Sequence, residues 1–427
     1  MIDCCLIYLP KPYLKEPDAQ APLGLMYLAA VLEQNNYSVV IKNFASYTDY
    51  AAIDELPEAR LYGITATSME VLQADRFAKL IKQKFSGAKI ALGGPGAYCH
   101  TEVELKNIDS VCMGEGEKVI LDMMLHIRKH NHIAPKYVYA PITELDSIPF
   151  PARHLLTYQG GNVFAYGKKY APGETTIITS SRGCPYKCAF CSAPQLTFNN
   201  RVRFRSIENV VDEMEYVVDK FGIKQFRFSD DMFTANKKRV IELCEAIGPL
   251  NVSWRISCRV KPLDKDMLKA MKDAGCKELS FGVESFDDDV LEGLNKNQNA
   301  WDIVKALTLA DNFGFSTRIL MMIRTPFQTS KTIELNKYYL ERVPYSILAC
   351  TAFVPIPGCD VWYNPDKYNI EILDRNFDHY NFYMFGPEGR LPIKKIFKIK
   401  NRCIDEFHKE SEDFRGWLEE AGKINRG

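Results

Sequence analysis

The residues best placed to do chemistry are Cys184-Pro185-Tyr186-Lys187-Cys188-Ala189-Phe190-Cys191, preceded by Ser180-Ser181-Arg182-Gly183. The run reads C-x3-C-x2-C. Three thiolates at this spacing can hold three corners of a 4Fe–4S cubane. No further cysteine occurs before Cys244, so the fourth iron is left open to a substrate or cofactor. A zinc site usually takes two C-x2-C pairs or adds histidine, and no histidine lies between His154 and His379. A disulfide framework suits a small secreted chain. Three plain core cysteines would not need Gly183 and Pro185 beside them. Zinc and plain core remain as the alternatives to the cluster.

The bulk of the chain sets the frame for that loop. At 427 residues two or three domains are expected. Apolar content of 46% and charged content of 25% describe a globular protein. The formal net charge is zero, which offers no electrostatic footprint for nucleic acid or an anionic membrane. The other ten of the thirteen cysteines are scattered, which suggests reduced thiols and a cytoplasmic location. There is no basic n-region, and no apolar run approaches the roughly 18 residues of a membrane span. The basic run Lys394-Lys395, Lys398, Lys400, Arg402 reads as the solvated face of a C-terminal helix.

Strand and helix patterns alternate over residues 1–140. Strands are expected at Cys4–Leu9, Ser38–Ile41, Leu61–Ala66, Lys89–Leu92 and Ser110–Met113, with helices at Pro22–Gln34, near Leu72–Phe85 and from Lys118. This is the pattern of an α/β doubly wound parallel sheet, which binds ligands at the carboxyl ends of its strands. Two such ends carry Thr65-Ala66-Thr67-Ser68 and Gly93-Gly94-Pro95-Gly96. Neither is a GxGxxG fingerprint, so dinucleotide binding is not supported. A Pro/Gly-rich linker covers 141–172. The alternation restarts over 173–360 with six βα units, the first of which delivers the cysteine loop. Residues 361–427 form an extension dense in aromatics, with a helix expected near Ile393–Glu410. Those aromatics either fill a small core or line a substrate mouth.

The cysteine loop resembles the signature of the radical S-adenosylmethionine superfamily, and the six βα units resemble its partial (β/α)6 barrel. The resemblance implies a 4Fe–4S cluster on Cys184, Cys188 and Cys191. Its open iron chelates S-adenosylmethionine and cleaves it reductively to a 5′-deoxyadenosyl radical. It implies contacts to S-adenosylmethionine from Phe190, from Ser229 and Asp230 after the second strand, from Glu284 and Ser285 after the fourth, and from Arg318 within the fifth as the partner of the methionine carboxylate. It also implies that Pro355-Ile356-Pro357-Gly358 closes toward the adenine. The family's Gly-rich turn after the fifth strand is replaced by Met322-Ile323-Arg324-Thr325-Pro326, so Arg324 and Phe327 are expected to reshape the pocket.

The first domain resembles the cobalamin-binding domain that precedes this barrel in a large branch of the family. The matching stretches are PLGLMYLAAVLE at 22–33, GITATS at 63–68, LGGPGAY at 92–98 and VCMGEGE at 111–117. Thr65, Ser68, Gly93 and Gly94 are the implied contacts to cobalamin. The Asp-x-His-x-x-Gly motif, whose histidine binds cobalt, is absent.

The expected activity is cobalamin-dependent C-methylation of a small metabolite, with an electron donor such as flavodoxin or ferredoxin. The alternatives are a cobalamin-free radical dehydration, decarboxylation, cyclisation or epimerisation, and a non-catalytic iron–sulfur or cobalamin sensor. Replacing any one of Cys184, Cys188 or Cys191 with alanine is expected to abolish reductive cleavage of S-adenosylmethionine, read as loss of 5′-deoxyadenosine under anaerobic reducing conditions.

Overall fold

Why the strands lie where they do follows from which faces they bury. The computed structural model describes residues 1–14, 17, 21–48, 50–156, 175–193, 201–380, 385–386, 389–390, 396–400 and 402–421. They fall into two compact units, Met1–Gly173 with Arg375–Tyr380 and Gly386–Gly389, and Glu174–Asp374 with Asn381–Phe385 and Arg390–Gly427.

In the first unit the elements are β1 (Ile2–Tyr8), α1 (Leu23–Gln34), β2 (Val39–Asn43), β3 (Ala59–Thr65), α2 (Val71–Lys84), β4 (Lys89–Gly93), β5 (Ser110–Met113), α3 (Gly116–His130) and β6 (Lys136–Val138). The sheet runs β2-β1-β3-β4-β5-β6, all parallel. Cys4, Cys5, Leu6 and Ile7 are all fully buried. An unbroken apolar run of this kind is what a strand covered on both faces needs. Burial pushes the Cys5 thiol up to about 12, so it packs as a small hydrophobe. The edge strand β6 has no counterpart in the sequence reading. Only Tyr137 of its three residues is buried, too short a signal for a period of two.

In the second unit, β7 (Thr175–Ile178) leads to a short antiparallel pair, β8 (Ser181–Arg182) with β9 (Arg203–Phe204). Then come α4 (Ile207–Phe221), β10 (Gln225–Phe228), α5 (Lys237–Ile247), β11 (Ser253–Cys258), α6 (Lys265–Asp273), β12 (Cys276–Glu284), α7 (Asp288–Gly293), α8 (Ala300–Asn312), β13 (Ser316–Ile323), α9 (Ser330–Leu340) and β14 (Ile347–Ala352). Six parallel strands are ordered β14-β13-β12-β11-β10-β7. Each lies beside its successor in sequence, so right-handed crossovers place every helix on one side. That is the partial (β/α)6 barrel. Strand β13 alternates between buried Thr317, Ile319, Met321, Ile323 and half-buried Ser316, Arg318, Leu320, Met322. The apolar set faces helices, and the other set lines the inner face. The Ser206 hydroxyl caps α4 by accepting from Asn209 N, and Gly222 ends it in the left-handed region.

The C-terminal extension differs from expectation in its parts. The strand Phe397–Ile399 pairs antiparallel with Ile370–Ile372, and the helix is Ile404–Glu420. Lys398, Lys400 and Arg402 therefore precede the helix and do not lie on its face, and Lys394 and Lys395 lie outside the described residues. Lys398 pairs with Glu371 at 2.9 Å and Lys400 with Asp366 at 2.5 Å. The alternation Phe-Lys-Ile-Lys has a period of two, and it decides the local structure over the charge spacing. Of the aromatics, Tyr368, Phe377 and Tyr380 are buried and Tyr363 is exposed. Phe382, Tyr383 and the side chain of Phe385 lie outside the described residues, as do residues 157–172 of the linker.

Helix α4 is tied to the start of the barrel by a buried ion pair. Arg205 Nη1 meets Glu213 Oε2 at 2.5 Å and also donates to Thr179 O. Removing one member of such a pair strands the other charge. Glu213→Ala is expected to destabilise the second unit by about 3–5 kcal/mol, read as a lowered thermal unfolding midpoint.

Candidate functional site: the cysteine loop and the strand ends

The loop that carries the three cysteines has almost no ladder of its own, so neighbouring strand ends hold it. Asp230, just past β10, is buried and accepts three hydrogen bonds: Ser180 N at 2.8 Å, Ser180 Oγ at 2.6 Å and Ser181 Oγ at 2.6 Å. Asp231 accepts from Gly183 N at 2.9 Å. Burial pushes both carboxyls above their usual range, and these hydrogen bonds pull the other way. On its far side the loop is gripped by the turn after α7. Ala189 N donates to Leu294 O at 2.9 Å, and Asn295 Nδ2 donates to Lys187 O at 2.7 Å. Val361 N closes the third side on Ala189 O at 3.1 Å. Gly358, with φ +100°, sits so close that a Cβ there would lie 3.0 Å from Ser192 Cβ. The Pro355–Gly358 loop is thereby brought to the cysteine loop.

Two cations that the sequence reading gave no role stand at this loop. Arg259, one residue past β11, is buried and donates from Nη1 to Cys188 Sγ at 3.2 Å. Its guanidinium lies 4.0 Å from the centre of the Tyr186 ring. Its Nε and Nη2 are buried without a hydrogen-bond partner among the described residues. Lys296 is buried, pairs with Glu284 Oε1 at 2.8 Å and lies 5.5 Å from the centre of the Phe190 ring. Glu284 adopts φ +65°. A Cβ on Gly282 would lie 2.8 Å from Glu284 Oε1 and 2.9 Å from Lys296 Nζ, so glycine leaves room for that pair. Arg259 follows a strand end in sequence, a visible signal. Its partner Cys188 is 71 residues away, which is not.

The remaining residues divide. Phe190 is half-buried in the loop, and Ser229 is exposed at the end of β10. Ser285 is buried; its hydroxyl meets Asn336 Oδ1 at 3.3 Å and accepts from Asp287 N at 3.1 Å. Arg318 lies in the third position of β13 and pairs through Nε with Glu278 Oε1 at 3.4 Å, where Arg255 also binds. Met321, not Arg318, is in register with Glu284. Three residues of strand put Arg318 about 10 Å below that rung. Arg324 is 1% exposed and lies under the Phe397 and Phe407 rings at 5.6 and 6.0 Å. It packs beneath the C-terminal extension rather than lining a mouth.

In the first unit the candidate ligand contacts lie at the ends of β3 and β4. Gly94 has φ +81°, and a Cβ there would meet Thr65 Oγ1 at 2.6 Å and Ala66 O at 2.9 Å. That glycine serves the approach of the two loops to each other. Gly93, in contrast, faces open space to 4 Å, beside half-buried Thr65. Ser68 is buried with its hydroxyl on the Cys99 thiol. His100 is engaged at both nitrogens, Nδ1 with Ala97 O at 2.9 Å and Nε2 with Lys136 Nζ at 3.2 Å.

The donor set suits a cubane better than a single ion. Among the described residues no group of three His, Cys, Asp or Glu side chains is placed to hold one metal ion. A cubane asks for one thiolate per iron, spread over the width of the cluster. Cys184, Cys188 and Cys191 are free thiols, close enough that Cys188 raises the pKa of Cys184 and both raise that of Cys191. Burial dominates, pushing Cys191 up to about 12. Thiolates there need a cationic partner, and the orphaned N–H groups of Arg259 indicate that an anionic group completes the site. The open ledge at Gly93 fits the edge of a large ligand.

The Radical SAM superfamily matches residues 178–335, and the B12 binding domain matches residues 18–123. An uncharacterized methyltransferase from Pyrococcus horikoshii is 30% identical over 364 residues, covering 80% of this chain and 77% of its own. An anaerobic magnesium-protoporphyrin IX monomethyl ester cyclase from Rubrivivax gelatinosus is 28% identical over 394 residues, covering 84% of this chain and 68% of its own. Among solved structures, the radical S-adenosylmethionine methyltransferase TsrM from Kitasatospora setae, with cobalamin and a 4Fe–4S cluster bound, aligns with a TM-score of 0.73. It covers 97% of this chain and 89% of its own at 16% identity, a likeness of fold.

Gly183 is the residue that lets the loop leave β8. It has φ +106°, and a Cβ there would stand 2.1 Å from Arg201 O. Backbone strain of this kind costs about 1–3 kcal/mol, and the overlap adds to it. Gly183→Ala is expected to lower the iron bound per chain after anaerobic reconstitution while far-ultraviolet circular dichroism stays unchanged.

Proposed function

Because this chain belongs to the radical SAM enzymes that carry a B12 binding domain, we propose that it methylates an unactivated carbon of a small metabolite. When bound, the 4Fe–4S cluster supplies the electron that cleaves S-adenosylmethionine, and cobalamin supplies the methyl group. The observation that carries the reading is the group of three mutually close thiols, with Arg259 hydrogen-bonded to one of them.

The chain's own residues then divide the work. Cys184, Cys188 and Cys191 hold the cluster. Asp230 acts through Ser180 and Ser181, setting the path of the loop. Phe190, Ser229 and Glu284 meet S-adenosylmethionine, and Lys296 fixes the direction of the Glu284 carboxylate. Ser285 acts through the turn it braces. Arg318 is held by Glu278 low on β13, away from the strand end where the cysteine loop lies. Thr65 and Gly93 receive the cobalamin tail, and Gly94 and Ser68 shape the loops that form that ledge. An electron donor of the flavodoxin or ferredoxin class reduces the cluster. Zero net charge supports a small molecule over a polyanion as substrate.

The methyltransferase relative supports methyl transfer, and the cyclase relative sustains a second reading, radical cyclisation without methyl transfer. The test is anaerobic turnover of reduced, cobalamin-loaded protein with S-adenosylmethionine. Both 5′-deoxyadenosine and S-adenosylhomocysteine are expected. 5′-Deoxyadenosine alone, with no cobalamin retained in the visible spectrum, overturns methyl transfer in favour of the second reading. Neither product points to a sensor.

A further inference from the structure

The guanidinium of Arg259 is in an unusual position for a charged group. It is 6% exposed, has no carboxylate partner among the described residues, and spends one N–H on a sulfur atom. The Tyr186 ring, 4.0 Å away, holds its plane from one side. Nε and Nη2 have no acceptor among the described residues. A buried, incompletely paired cation is destabilising on its own. An arrangement of this kind persists when the missing counter-charge belongs to the bound ligand.

We propose that Arg259 is a positioning residue that orients Cys188 and raises the reduction potential of the bound cluster. The inference rests on the reading that Cys184, Cys188 and Cys191 hold a 4Fe–4S cluster. Two effects act in the same direction. A hydrogen bond to a ligating sulfur withdraws electron density from it, and such bonds are among the determinants of cluster potential. Reduction adds one negative charge to the cluster, and a desolvated cation at hydrogen-bond distance favours that form. The planar fork matters as well as the charge. Arg259 both stacks on Tyr186 and reaches Cys188, which a lysine ammonium cannot do in the same geometry. Tyr186 lies between Cys184 and Cys188 in sequence, so the stack also fixes the segment between two ligands.

The test compares wild type with Arg259→Gln, Arg259→Lys and Tyr186→Leu after anaerobic reconstitution. Iron and sulfide content report assembly. A redox titration followed by electron paramagnetic resonance reports the midpoint potential, which a merely structural role would not move. Arg259→Gln is expected to keep its cluster but hold about tenfold less of it reduced at a fixed ambient potential, equivalent to a shift of about 59 mV downward for one electron. Arg259→Lys is expected to fall between Gln and wild type. Tyr186→Leu is expected to shift in the same direction by less. A fully loaded Arg259→Gln with unchanged potential overturns the proposal. If that variant does not assemble a cluster, Arg259→Lys decides by the same measurement. Failure of both to assemble also overturns it, leaving Arg259 a purely structural residue. Wild type without iron or without a cluster signal overturns the cluster reading itself, and so is distinguished from failure of this inference.

Discussion

The Asp230 carboxylate is the point on which the cysteine loop depends. A segment that must present three side chains to one bound group cannot also spend its backbone on a regular ladder. Its ordering, at about 1–2 kcal/mol per residue of backbone entropy, has to be offset by contacts from elsewhere. Asp230 supplies three of them at one point, to Ser180 and Ser181. Asp231 adds Gly183, and Arg205 reaches Thr179 O from behind. The two consecutive aspartates after β10 therefore both act on the first turn of the loop. Hydrogen bonds to a charged acceptor are about twice as strong as neutral ones, which is why a carboxylate is placed here in spite of its burial.

The same burial sets the chemistry of the thiols. Desolvation raises Cys184 and Cys191, and the neighbouring Cys188 raises both further. Cysteines that bind metal do so as thiolates, so loading the site releases protons and is favoured by any fixed positive charge nearby. Arg259 is that charge at Cys188, and Lys296 is the next one, committed to Glu284. The loop is thus built for an occupant that brings its own positive iron and accepts the hydrogen bonds the protein leaves open. The scattered cysteines follow the opposite logic. Cys258, Cys276 and Cys350 are buried with their thiols pushed up and packed as hydrophobes.

What could be read in the sequence was what is local. The C-x3-C-x2-C spacing and the alternation of apolar runs each depend on residues within one element. They mark strands β1 to β5 of the first parallel sheet within a residue or two of their boundaries, and the six βα units of the second. The assignments that depend on rung and direction were not legible. Arg318 and Arg259 are both arginines near strand ends, and nothing in the chain says that the first lies low on β13 against Glu278 while the second meets Cys188. The Lys296–Glu284 pair lies only 12 residues apart, yet it requires the chain to turn through α7 and the residues after it. The C-terminal helix starts later than the spacing of the basic residues suggests, at Ile404, because the period of two in Phe397–Ile399 makes that stretch a strand.

The turn after β13 shows how this chain replaces glycine. Glycine takes positive φ without strain, whereas here Arg324 and Phe327 take φ +61° and +68°. Non-glycine residues held there cost about 1–3 kcal/mol each, so the surroundings must fix them. Gln328 Oε1 accepts Arg324 N at 2.7 Å, and Arg402 Nη1 donates to Gln328 O at 2.7 Å. The Arg324 guanidinium is pressed against Phe397 and Phe407, where burial pushes it down to about 10. Phe327 meets Tyr368 edge-on and fills the space beside Gly293, where a Cβ would stand 2.3 Å from its ring. The conformation of that barrel edge is therefore set by the C-terminal extension, through its strand, its helix and Arg402, instead of by the turn's own sequence. A change in the extension would be transmitted to the end of β13 through packing and two hydrogen bonds. This ties the extension to the shape of the barrel's open end even though its sequence carries no motif.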